Sequence, residues 1–304
     1  MQSFEISRFE PLLSLPRPIH VVTHDAGAAE HIFYWLTHLL DERLLKKDDL
    51  TLSVQGPSLN ILRSEFGALE SLMVYRQDAP VWGAASLLAG TGWASDVEWS
   101  AINAYQARGA KTAAVIDHWV NFEERMQRNG EQARPDKYLV VDREAEAIAC
   151  RIWGEASVQR LPDLKFEDFK NNFDGTQAKD TVLYAAEPFP DRWSERAGKE
   201  LEVLSYALSC LQTSGLEFRD LIVRPHPAES IQKYLKFSQG HDNISIKVTR
   251  EQPLADVLSK SVAVVSADSS LLVLAMRLGI PAFCSLPPEL GGSRLPHKGL
   301  KYFY

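Results

Sequence analysis

Five short stretches carry residues suited to chemistry, and each follows an apolar run. They are Thr23-His24-Asp25, Gly90-Thr91-Gly92-Trp93, Asp117-His118-Trp119, Arg224-Pro225-His226-Pro227 and Ala267-Asp268-Ser269-Ser270. Asp25 and His24 each suit a general base, because a carboxylate or an imidazole takes the proton from an attacking hydroxyl. Asp25 would equally serve as the cap of the helix after it. Asp117 and His118 make a second acid–base candidate. Trp93, Asp96 and Trp119 are candidates for holding an acceptor, with the indoles as stacking faces. The alternative for Trp119 and Phe122 is a strand-to-helix junction with its rings turned into the core.

Other residues suit a phosphate. Asp268-Ser269-Ser270 joins an apolar run to a helix start, where free amides and the helix dipole favour an anion. A simple helix cap at Asp268 or Ser269 is the competing reading. Arg224 offers a fork of donors, and His226 is held between two prolines. Gly90 and Gly92 let backbone approach a ligand, with Thr91 between them. In the same stretch Ser95 and Glu98 match a capping box. Glu187 follows another apolar run, where it either binds a ribose hydroxyl or faces solvent. The Gly90 stretch is neither a Walker A loop nor a dinucleotide fingerprint. There is no HExxH or EF-hand spacing, so no tightly bound metal is expected. A loosely held Mg²⁺ shared with a diphosphate stays open.

The elements that must position these residues alternate between strand and helix. Strands are expected near 18–24, 50–54, 71–75, 85–89, 111–117, 137–142 and 157–161. A second series is expected at 181–186, 220–224, 244–249, 261–267 and 281–285, with helices at 191–213, 253–259 and 271–278. Apolar strands alternating with helices imply parallel sheets covered on both faces. The polar stretch from Pro162 to Lys179 is expected to be a linker. The fold class is therefore α/β: two Rossmann-like, GT-B-like halves, at 1–165 and 180–304, facing across a cleft. Ligands in such sheets bind beyond the carboxyl ends of strands.

The His226-Pro227 pair, followed by Ser269-Ser270, resembles the bacterial polysialyltransferases and sialyltransferases. It is also similar to the Kdo transferases and polyol-phosphate transferases of capsule assembly. These are GT-B enzymes, and UDP-GlcNAc 2-epimerases share their fold. The resemblance covers chiefly Thr181 to Ser285. It implies that His226, Ser269 and Ser270 hold the donor phosphate, with Glu187 facing the same site. Those families often carry an acid-acid-glycine motif near the N-terminus, where this chain has His24-Asp25-Ala26-Gly27. The resemblance implies a cytoplasmic glycosyltransferase of capsule or O-antigen synthesis. The donor would be a CMP-linked or other nucleotide sugar.

Composition sets the outer limits. The 304 residues are 45% hydrophobic and 24% charged, which suits a soluble globular chain. The net charge of -7 offers no basic face for nucleic acid. Three scattered cysteines give no disulfide framework and fit a reducing cytoplasm. No apolar run spans a bilayer, so contact with the inner face of the membrane would be peripheral. The expected partners are a small-molecule donor and a glycan or glycolipid acceptor, and further domains of a larger biosynthetic protein are possible. Phosphoribosyl diphosphate (PRPP) is an alternative donor. A sugar-nucleotide epimerase or hydrolase, or a binding module without turnover, completes the alternatives.

Overall fold

Runs such as Ile19–Thr23 and Thr181–Ala185 are buried at every position. A strand with no polar face needs cover on both sides, which is what a parallel sheet between helices supplies. The computed structural model describes residues 7–74, 83–92, 95–189, 196–226, 229–240 and 244–303. The chain divides into two compact units, Met1–Lys165 and Phe166–Tyr304.

The first unit holds strands β1 (Ile19–Thr23), β2 (Leu50–Val54), β3 (Ser86–Ala89), β4 (Lys111–Val115), β5 (Lys137–Val140) and β6 (Val158–Arg160). Their order is β2-β1-β3-β4-β5-β6, and every pairing is parallel. The chain moves outward from β1 to β2, then returns to β3 on the other side of β1. That reversal opens a crevice beyond the ends of β1 and β3. Helix α1 (Ala26–Asp41) leaves β1 and buries Ala28, Ala29, Ile32, Phe33, Trp35, Leu36 and Leu39. Their three- and four-residue spacing gives one apolar face. His20 is buried in β1 between the Tyr105 hydroxyl and Ser53 Oγ, both 2.8 Å away. Burial pushes it down to about 4, so it is neutral and structural.

The second unit holds β7 (Thr181–Ala185), β8 (Asp220–Arg224), β9 (Ser245–Val248), β10 (Ser261–Ser266), β11 (Ala282–Cys284) and β12 (Lys301–Tyr302). The order is β9-β8-β7-β10-β11-β12, again parallel throughout. Here the reversal lies between β7 and β10. Each unit has its own apolar core.

Some elements differ from expectation. The strand expected at 71–75 is a 3-10 helix, Gly67–Leu72, followed by a single bridge from Met73 to Leu52. Tyr75 lies outside the described residues. The expected linker contains a helix, Leu164–Asn171. The helix expected from 191 begins at Glu200, and residues 191–195 lie outside the described residues. Among the described residues no helix is long and apolar enough to cross a membrane.

Candidate functional site

Carboxyl groups gather at the reversal point of the first unit. Asp25 is the N-cap of α1, and its Oδ1 accepts the Ala26 amide at 2.8 Å. Glu98 is 1% exposed and turns back toward the same loop. It accepts the amides of His24 (2.9 Å), Asp25 (3.4 Å) and Gly92 (2.5 Å). Asp117, just past β4, takes Arg125 Nη1 at 2.6 Å. Arg125 is itself buried and also donates to the Thr91 carbonyl at 2.9 Å. Gly27 in α1 faces Asp117 so closely that a Cβ there would strike its carboxylate. The Gly90 and Gly92 positions are likewise filled by Glu98 and Asp25, leaving no room for side chains.

The environments drive these acids apart. Burial raises Asp25, and the Asp117 charge adds to it. Burial also pushes Glu98 up to about 7, against the pull of its backbone amides. Asp117 is pushed up by burial too, but Arg125, then His118 and His31, outweigh it and hold it below the usual range. An acid raised to about 7, Glu98, beside an Asp117 held below the usual range is an arrangement suited to proton transfer. The His24 ring lies against Gly56, the first residue of the helix Gly56–Glu65 that follows β2.

Several expected roles change here. Ser95 and Glu98 do not form a capping box; the helix Val97–Gln106 has no side-chain cap. The Gly90 and Gly92 backbones approach protein carboxylates. Thr91 is buried, and its hydroxyl donates to the Val115 carbonyl at 2.7 Å. Trp119 is 9% exposed, with its indole N–H on Asp142 at 2.7 Å, so its ring is a core group and not a platform. Phe122 packs on Trp153. Asp96 is exposed and paired with Arg128 at 2.8 Å. His118 rests against Trp119. Trp93 lies outside the described residues.

The second unit gathers arginines at its own reversal point. Ser269 is the N-cap of the helix Ser270–Arg277, accepting the Leu271 amide. Ser270 is exposed at the first helical position. Asp268 is buried and does not cap the helix. Its carboxylate takes Arg196 Nη1 (2.7 Å), Arg294 Nε (3.0 Å), the Arg294 amide (2.9 Å) and Ser293 Oγ (2.7 Å). Burial raises it, but Ser293 and Arg294 outweigh that and lower it, so Asp268 stays ionised. Asp268 therefore fixes the Arg196 and Arg294 guanidiniums in place. Glu187 accepts the Asp268 amide at 2.8 Å, and burial pushes it up to about 8. It is half-buried beneath the Asp268 loop.

The β8 end carries the remaining cations. His226 is exposed, and its carbonyl accepts Arg250 Nη2 at 2.7 Å. Arg224 donates to the Gln252 carbonyl at 2.8 Å. Pro227 lies outside the described residues. Arg125, Arg196, Arg250, Arg294 and the role of Glu98 escaped sequence reasoning. Their signals are long-range: each meets a partner many residues away.

No protein-family model matches the chain, and no curated protein sequence matches it. Solved structures do match. UDP-GlcNAc 2-epimerase from Neisseria meningitidis, bound to UDP-GlcNAc, gives a TM-score of 0.58 at 9% identity, covering 90% of this chain and 85% of that one. The S. aureus MnaA–UDP structure gives 0.62 at 12%, covering 88% and 79%. The Methanocaldococcus jannaschii epimerase in complex with UDP-GlcNAc and UDP gives 0.58 at 10%, covering 93% and 88%. At these identities the likeness shows the fold. The chain has the GT-B-like α/β fold, with two Rossmann-like parallel-sheet halves.

Proposed function

We propose that the protein is a glycosyltransferase of bacterial surface-polysaccharide assembly, using a phosphate-activated sugar donor. The observation that carries this reading is the acid cluster of the first unit, where Asp25 lies beside Glu98 and Asp117. A carboxyl with a raised pKa is a well-matched base near neutral pH. Asp25 takes the proton from the acceptor hydroxyl as its oxygen bonds to the anomeric carbon. The bond from that carbon to the donor phosphate breaks, and its electrons leave with the phosphate oxygen. In the second unit, His226, Arg224, Ser269 and Ser270 are the groups suited to bind a donor phosphate.

A second reading is a sugar-nucleotide epimerase or hydrolase. It is favoured by the same three acids, because moving a proton on the sugar itself also needs paired carboxyls. Mass spectrometry after incubation with UDP-, GDP-, ADP- and CMP-sugars and PRPP, with and without glycan acceptors, separates the two. Donor consumed only when acceptor is present supports transfer. A new sugar isomer or free sugar without acceptor moves the assignment to the second reading. Binding of donor with no turnover under any condition would leave a binding module.

A further inference from the structure

Arg224 and Arg250 differ from the other arginines around the second sheet. Arg196 and Arg294 pair with Asp268, and Arg219 pairs with Asp180 and Asp220. Arg224 and Arg250 have no carboxylate partner among the described residues. Arg224 ends β8, and Arg250 follows β9, whose Val248 is in register with Val223. The two side chains cross between neighbouring loops. Arg224 reaches the carbonyl of Gln252 after β9 at 2.8 Å. Arg250 reaches back to the carbonyls after β8, at Pro225 (3.1 Å) and His226 (2.7 Å), and also to Glu229. Both guanidiniums are half-buried, and each is held by backbone carbonyls that cancel none of its charge. They are near enough that Arg250, after burial, depresses the Arg224 pKa.

Two adjacent positive charges with no carboxylate partner among the described residues favour a ligand with more than one negative charge. Guanidinium forks match phosphate oxygens in pairs. The exposed His226 side chain projects from the same loop that Arg250 holds. We propose that Arg224 and Arg250 clamp a diphosphate, so that the donor leaves as a diphosphate and not as a monophosphate. This rests on the donor reading given above and selects within it. Nucleoside diphosphate sugars and PRPP have that leaving group, whereas CMP-linked sugars do not.

Calorimetric titration of the full chain tests it with paired probes: UDP and UMP, GDP and GMP, ADP and AMP, CDP and CMP, inorganic pyrophosphate and phosphate. For the base the protein accepts, the diphosphate should bind at least about tenfold more tightly than the monophosphate. Arg250→Gln and Arg224→Gln should each cut that ratio below about threefold, with Arg250→Lys between them and the parent. Equal affinity for mono- and diphosphates overturns the clamp. So does a loss in Arg250→Gln that falls equally on both, since that marks a residue that merely holds the loop. Pyrophosphate binding that both glutamine variants lose, without nucleotide binding, upholds the clamp and removes the nucleotide-sugar donor in favour of PRPP. Binding of none of the probes overturns both the clamp and the donor reading.

Discussion

One oxygen of Asp25 caps α1 through the Ala26 amide, while Oδ2 lies beside Gly92. The cap and the proposed base are therefore separable by a single isosteric change. Asn caps a helix as well as Asp does but cannot take a proton. Asp25→Asn should lower turnover by about 10²–10⁴-fold while stability moves by less than about 1 kcal/mol. A turnover assay with a melting curve on the same sample checks it; retained activity would remove Asp25 as the base. Glu98 makes a pH prediction with a definite sign. Its ordinary value is 4.5, and in the fold it rises to about 7. Below the lower value, folded and unfolded chains both hold the proton. Between the two, only the folded chain does, so this contribution to stability falls as pH rises and is lost above about 7. Its size is on the order of 3 kcal/mol. Melting curves at pH 4.5 and 8 should show that slope in the parent and lack it in Glu98→Gln. Equal slopes in both would mean that Glu98 is ionised throughout.

At the scale of elements, α1 is placed by a glycine that its own helix would gain from losing. Alanine at Gly27 would favour an isolated helix by about 1 kcal/mol. Its Cβ would instead strike Asp117 Oδ2 and lie 2.9 Å from Cγ. Gly27→Ala should therefore destabilise by about 1–3 kcal/mol and displace the Asp117 carboxylate. Denaturant unfolding measures the first effect, and a stabilised variant would show that the helix can shift instead. Ser269→Ala should cost about 1 kcal/mol through the lost cap on Ser270–Arg277. The strands were legible wherever burial is two-sided: β1 and β7 are buried at every position and mostly apolar, so the run itself marks the strand. The 71–75 segment deceived because one bridged residue, Met73, looks locally like a strand. Asp25, Asp117 and Asp268 each lie two residues past the end of a parallel strand, where the apolar runs of the sequence stop. Glu98 was hidden because its spacing from Ser95 imitates a capping box, whereas its partners lie on the β1 and β3 loops. Trp119 shows the reverse error, a residue type read as a ligand platform while its N–H bond to Asp142 fixes it inside.

For the whole molecule, the decisive fact is that the buried apolar side chains form separate cores. One gathers residues from Phe9 to Leu161, the other from Val182 to Val265. Cooperativity follows shared burial, so each core should behave as its own unfolding unit. Leu36 and Leu204 sit in the two cores, at 1% and 0% exposure. Truncating a buried leucine removes about 2–5 kcal/mol from the unit that holds it. Scanning calorimetry should then resolve two transitions, with Leu36→Ala lowering one and Leu204→Ala the other. A ligand stabilises the state that binds it by mass action. The diphosphate ligand should therefore raise the transition that Leu204→Ala lowers, because the arginine and serine loops all belong to the second unit. Asp25→Asn should leave that rise intact, since the base lies in the first. A single transition moved alike by ligand and by both leucine changes would mean that the two cores melt as one, and the division of labour between donor binding and proton transfer would lose its thermodynamic basis.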